Sequence, residues 1–369
     1  MHRFFFTTKD AFINSGSNSI TNEDFKDKNT GQDEILELKK VFFNRDFDYP
    51  TRVLMQFDTD EIENFISSSD VYNRDSSYKL NLRLWETEGT SGLSETYNIA
   101  AYPISESWDE GIGKELDKPK TTEGCSWKYR KNIEGSSEIS WATVGGTYIA
   151  SDEATQVFSA ESPDINMDIT AIAKKWFNGT NNNYGLLLRL SGSRETSTGS
   201  FENLKFFSRQ TNTIYSPKIE LKWDDHLPAT GSNTGSLTEL DLSGTADNYL
   251  YPLYFREAYK ETEQVKFRFG ARKRYIDKSF TTSVQGVSAT GSYFTEGSAS
   301  YSIVDLSTNE DVVPFSAYTT MSCDSTSPYF MQDLNGFEPN RAYKILIKVN
   351  HSDNQKIIYD DDFEFILRV

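Results

Sequence analysis

A chain of 369 residues that is 37% hydrophobic and 14% aromatic is too long for one ordinary core and too apolar for a disordered tract, so two or three folded domains are expected. With 55 Asp and Glu against 38 Lys and Arg, its formal net charge is −17, a field that repels phosphate backbones and excludes nucleic acid as a partner. No apolar run approaches membrane-spanning length, which excludes a helical membrane protein.

The opening MHRFFFTTKDAFINSG has a three-Phe run and no signal-peptide core, so synthesis in the cytoplasm is expected. Phe and Tyr set among Ser, Thr and Gly favour strands, and the prior is all-β. DEILELKKVFF (33–43), RVLMQFD (52–58), YKLNLRLW (78–85) and YNIAAYPI (97–104) alternate apolar and polar positions, the period of half-buried antiparallel strands. DITAIAKKWFNG (168–179) breaks that period. Ile169, Ile172, Ala173, Trp176 and Phe177 form a helical stripe, with Asp168 to cap its start and Asn178-Gly179 to end it. NNNYGLLLRL (181–190), KFFSR (205–209) and SPKIELKWDD (216–225) return to strand.

In NNNYGLLLRL, Leu186, Leu188 and Leu190 face a core, while Leu187 on the opposite face needs cover. The helix bearing Trp176 and Phe177 is the nearest candidate, with a subunit contact as the alternative. Arg189 then belongs to the rim of a wall. The polar run after Trp223 reads as a linker. Beyond it, VKFRFGARKRYI (265–276), ASYSIVDL (299–306), AYKILIKVN (342–350) and DDFEFILRV (361–369) alternate again, and FEPNRAY (337–343) resembles the aromatic corner before a late strand of immunoglobulin-like sandwiches.

Enzyme parts are sparse. No nucleophile elbow, phosphate loop, zinc-protease helix or dinucleotide fingerprint occurs, and His2, His226 and His351 lack metal-ligand partners at useful spacing. The reading is therefore not an enzyme, with no catalytic and no metal residues. Asp109 with Glu110 in SWDEG and the run Asp360–Asp361–Asp362 are the candidate acid pairs for glycoside hydrolysis, but adjacent acids on a strand point to opposite faces. No cofactor is required; a structural Ca2+ is the one ion to look for, in the acidic loops NRDFD (44–48), WDEG and YDDD. Cys125 and Cys323, almost two hundred residues apart, are expected to be plain thiols. Arg272, Lys273 and Arg274 form the densest positive patch of an acidic chain and could dock an acidic partner subunit. Trp108, Trp127, Tyr129 and Trp141 are the candidates for stacking on sugar rings.

Several early stretches, in order GQDEILEL, RVLMQFD, YKLNLRLW, SWDEG with GCSW, DITAIAKKWFNG, NNNYGLLLRL and FFSRQTNTIYSPKIELKW, resemble the DNRLRE family, a jelly-roll-like β-sandwich also classed among carbohydrate-binding modules. Its most specific part is the helix ending in Trp-x-x-Gly followed by the NYGLLLR strand. The chain has Gln210 where that family has Glu after FxSR, and 63–77 is a long insert for it. The second half, with VKFRFGARKRYIDKSF, GFEPNRAYKILIKV and DDFEFILRV, resembles the carboxy-terminal part of virion proteins from T4-like tailed phages of marine cyanobacteria. Together these imply a jelly-roll-like sandwich with one short helix over 1–226, a linker over 227–245 and an immunoglobulin-like sandwich over 246–369. They imply a structural component of a tailed phage virion, in the tail, neck, collar or a fibre, made in the host cytoplasm. Its partners would be other virion proteins in a symmetric, many-copy assembly, with a host glycan as the alternative ligand and no membrane.

Overall fold

The structure, a computed structural model, describes residues 1–18, 23–43, 46–68, 78–87, 97–133, 136–158, 164–196, 203–243, 248–275, 280–284, 291–352 and 354–369. It is all-β in class. Numbering strands longer than two residues, the first part of the chain contributes β1 (His2–Asn14), β2 (Ile35–Phe43), β3 (Asp46–Phe57), β4 (Lys79–Leu84), β5 (Tyr97–Pro103) and β6 (Tyr129–Ile133). It continues with β7 (Ser137–Ser140), β8 (Ala154–Phe158), β9 (Ile165–Asp168), β10 (Leu186–Leu190), β11 (Asn203–Phe207) and β12 (Lys218–Lys222). Helices α1 (Thr59–Ser68) and α2 (Thr170–Phe177) interrupt them. The later part contributes β13 (Asn248–Leu253), β14 (Ala258–Lys260), β15 (Gln264–Lys273), β16 (Ala299–Asp305) and β17 (Glu310–Val313), then β18 (Pro328–Asp333), β19 (Ala342–Asn350), β20 (Lys356–Tyr359) and β21 (Glu364–Arg368).

Two compact units result: Phe5–Ser68 with Lys79–Leu221, and Lys222–Val369 with Met1–Phe4. In the first, hydrogen-bonded neighbours run β8-β5-β10-β3-β1-β12-β4-β9, and β2 joins β3 to β11. β4 buries Leu80, Leu82 and Leu84 as its period-2 pattern requires. The two ends of this order, β8 and β9, meet through a side chain. Gln156 Nε2 donates to the Asp164 carbonyl at 2.9 Å, and its Oε1 accepts from the Asn166 N–H at 2.7 Å. One side-chain amide thus does the work of a peptide group between two edges, and the sheet nearly closes on itself.

α2 lies within the expected stretch. Asp168 Oδ1 accepts from the Thr170 N–H at 2.9 Å, and Gly179, at φ 70°, turns the chain while its N–H reaches the Trp176 carbonyl. Ile172, Ala173 and Trp176 are buried, and the helix packs on β4.

In the second unit, β15 lies between β13 and β18 in one sheet, and β14-β21-β19-β16-β17 form the other, with β20 on β19. Phe267, Phe269 and Phe330 of the first sheet meet Tyr301, Ile347 and Phe365 of the second in one apolar cluster. The Tyr301 and Phe330 rings stack with centroids 3.6 Å apart, and the Tyr301 hydroxyl reaches the Gln332 side chain at 3.3 Å. Leu240, within 227–245, is 3% exposed in that cluster. The corner at FEPNRAY is present: the Tyr343 hydroxyl donates to the Glu338 carbonyl at 3.0 Å, and Asn340 sits at φ 60° in the turn. The first residues of β1 are held in this unit, where Arg3 pairs with Asp333 at 2.6 Å and Phe4 meets Phe337 edge-on.

Candidate functional site

The segment 104–149 leaves β5 and lies over the face of β1, β3 and β10. There Leu187 packs among Ala11, Ile13, Leu54, Ile104, Trp108 and Trp141. The cover over Leu187 is therefore this segment, not α2. Leu187 is fully buried, and Gly146 approaches so closely that a Cβ there would lie 2.6 Å from Leu187 Cδ1. Helix α2 is committed to β4, so periodicity alone suggested the wrong cover.

Asn29 pins the segment in place. It is 0% exposed and uses its whole amide: Nδ2 donates to the Glu110 and Cys125 carbonyls at 2.7 and 2.8 Å, and Oδ1 accepts from Gly31 and Gly113. Within the segment, Trp108 and Trp141 are 1% and 3% exposed, with indole N–H groups bonded to the Tyr184 and Ser126 carbonyls. Neither presents a ring face to a sugar. Trp127 is half-buried, with the Arg52 guanidinium 4.9 Å from its ring centroid. Tyr129, also half-buried, starts the β6–β7 hairpin, and its bond to Glu138 holds the phenol above its usual pKa. Trp127 and Tyr129 remain as partly accessible aromatics, whereas Trp108 and Trp141 are core.

Arg189 is part of a buried polar wall. It pairs with Glu195, 4% exposed, and donates to the Tyr148 hydroxyl, while Arg52 binds the same carboxylate at 2.7 and 3.0 Å. Arg52 also donates to the Gly145 carbonyl at 2.6 Å. Two guanidiniums on one carboxylate tie β3, β10 and the covering segment together.

The acids of SWDEG diverge. Asp109 pairs with Lys131 at 2.8 Å, and Glu110 accepts both contacts from Arg209 at 3.2 Å. Glu110 instead lies beside Asp10, whose own N–H it accepts at 3.0 Å, while Asp10 Oδ2 accepts from the Arg209 N–H at 2.7 Å. Burial raises the Asp10 carboxyl to about 7, against the Arg209 N–H bond that lowers it, and the Glu110 charge adds to the rise. Sequence spacing hid this pair, since its members are a hundred residues apart; the isolated Asp within an apolar strand was the available signal. Asp10 is 1% exposed, so the cluster is a structural joint and not an open acid–base site.

Among the described residues no group of three His, Cys, Asp or Glu is placed to hold a metal ion. The loop 44–48 falls outside the residues whose side chains are described, and in YDDD Asp360 pairs with Lys344. His2 and His351 are buried, the latter with Nδ1 3.2 Å from the Leu242 carbonyl, and His226 lies 3.9 Å from Glu296. Both cysteines are free and buried, and burial raises the Cys323 thiol to about 12 and that of Cys125 further.

The basic run ends β15. Arg272 lies half-buried with its guanidinium 4.8 Å from the Tyr249 ring centroid, and Lys273 and Arg274 are exposed. Register places Tyr249 opposite Arg272, Tyr251 opposite Gly270 and Leu253 opposite Arg268, all on the outer face of the sheet. Tyr249 and Tyr251 stack at 5.8 Å, and Tyr251 lies on Gly270, where a Cβ would come within 2.2 Å of its ring. Arg268 stacks on Tyr329 and grips Asp324 with two bonds of 2.8 and 2.6 Å, which hold that carboxyl down to about 2. Lys266 sits 4.1 Å above Tyr329. The patch read as three cations is thus the end of a longer aromatic and cationic strip, whose tyrosines the sequence reading did not single out although they occupy alternate positions of a strand.

No helix among the described residues is long and apolar enough to cross a membrane. Comparison with models of known protein families and with curated proteins returns no match.

Proposed function

We propose that this chain is a structural component of a tailed bacteriophage virion, part of the tail, neck, collar or a fibre, that acts by binding other virion proteins in many copies rather than by catalysis. The observation that supports it is that the stretches carrying the resemblance form regular elements of the first unit. RVLMQF falls on β3, KLNLRL on β4, the Trp-x-x-Gly stretch on α2, LLLRL on β10 and KIELK on β12, all but the helix in one connected sheet. These are the stretches on which the resemblance to the DNRLRE family rests, and the all-β class of the unit is the class that resemblance implies. The strip on β13 and β15 supplies a surface rich in Tyr and Arg, residue types that dominate protein interfaces. Mass spectrometry of purified particles of the phage whose genome carries this sequence should detect the chain; particles lacking it would sink the reading.

A second reading, adsorption to a host glycan, is favoured by the half-buried Trp127 and Tyr129 at the β6–β7 hairpin. Binding on a glycan array that disappears in Trp127→Ala supports it, and silence across host polysaccharides removes it.

A further inference from the structure

The geometry points to the outer face of β13 and β15 as a docking surface for the acidic face of helix α1 of a second copy of this chain. This names the partner for the assembly reading and rests on that reading only for its place in a particle.

Three observations converge on the face. In a chain of net charge −17 it carries Arg272, with Arg274 exposed just beyond the strand end, while Arg268 on the same face is already paired with Asp324. It is aromatic, with Tyr249 36% exposed and Tyr251 beside it. At the end of β13, next to Arg268, Tyr254 is 85% exposed and held at φ 55°. A bulky side chain in the left-handed region is strained, and such strain persists at places where a side chain must be presented. Nothing inside the unit uses the Tyr254 ring as core, since most of its surface faces outward.

The occupant follows from charge. α1 opens with Asp58, Asp60, Glu61 and Glu63, all exposed, and carries no basic residue in its last turn. Ile62 and Ile66 turn inward and leave the acids outward. The face belongs to one unit and the helix to the other, so the contact pairs unlike patches, which either close reciprocally in a pair or repeat from copy to copy. Tyrosine hydroxyls and guanidiniums both donate to carboxylates, and the ring edges exclude water around those bonds.

The test is sedimentation velocity of the purified full chain at about 0.02 M and about 0.5 M salt, where screening separates charge-driven from apolar association. Wild type should associate at low salt at least about tenfold more tightly than at high salt. Arg272→Glu with Arg274→Glu should weaken low-salt association about tenfold or more, as should Asp60→Lys with Glu63→Lys. All four changes together should restore it, because the charges are exchanged and not removed. Tyr254→Gly should weaken association while raising the melting temperature of the protein, since glycine relieves the backbone strain. A wild-type chain that stays monomeric at about 0.1 mM in low salt, a strip variant that associates like wild type, or a fourfold variant no better than either pair overturns the proposal. These outcomes are independent of particle content: absence from virions defeats the assembly reading and leaves a measured self-association standing.

Discussion

Replacing Asp10 by Asn takes a negative charge out of a site that is 1% exposed and keeps its shape, because the amide oxygen can still accept from the Arg209 N–H. In the folded chain burial raises the carboxyl from 3.8 to about 7, with Glu110 adding to the rise and Arg209 opposing it. Below about pH 3 the group is protonated in both folded and unfolded chains and contributes no pH dependence. As pH rises from there, the unfolded chain releases the proton first, so stability falls until the folded group also ionises near pH 7. Between pH 5 and pH 8 the loss is about two pKa units at 1.36 kcal/mol each, or about 3 kcal/mol. Asp10→Asn does not titrate, so its stability relative to wild type should rise by about 3 kcal/mol over that range. Guanidinium unfolding followed by tryptophan fluorescence reads the right unit, since Trp85, Trp108, Trp127, Trp141 and Trp176 all lie in it. Differences between variant and wild type cancel the titrating groups that do not interact with Asp10. A stability difference that stays constant from pH 5 to pH 8 would refute the burial argument.

Leu187→Asp places a carboxylate among Trp108, Trp141 and Ile13 and should cost on the order of 3 kcal/mol or more in the same unfolding assay; an exposed-site cost below about 0.5 kcal/mol would mean that segment 104–149 does not cover it. Asn29→Ala strands two carbonyls and two N–H groups and should cost about 3 to 4 kcal/mol, with faster hydrogen exchange at Gly31 and Gly113; unchanged exchange there would count against the joint. Tyr343→Phe keeps the ring and removes only the bond to the Glu338 carbonyl, so a loss of about 1 to 2 kcal/mol confined to the second unit is expected, and none if the corner is decorative.

Strands that alternate were readable because their period reports burial directly: β4 and β19 bury the residues the pattern nominates. Helix α2 was equally plain. Helix α1 escaped notice, its later residues falling within the stretch 63–77 taken for an insert, although Asp58, which accepts from the Asp60 and Glu61 N–H groups, followed by Ile62, Phe65 and Ile66 is a cap and a stripe. β1 escaped too, since FFFTTKDAFIN alternates poorly, as a strand buried on both faces does. Candidate sites were least legible. Whether Trp108 is platform or core depends on what lies across from it, and Leu187, Ala11 and Ile13 come from strands that no local spacing connects to it. The strip was half legible: its cations adjoin in sequence, and its tyrosines reach them only through the pairing of β13 with β15.

The bridge made by Gln156 gives the first sheet the character of a belt with a clasp. Two ordinary strand edges face each other across it, and a single amide spans them with one donor and one acceptor. Such a clasp fixes register at one residue and leaves the backbone on either side untouched, so the ring can be loosened without unfolding any strand. While it is fastened, the two edges face each other rather than solvent at that point, which makes them poorer templates for a strand from another chain.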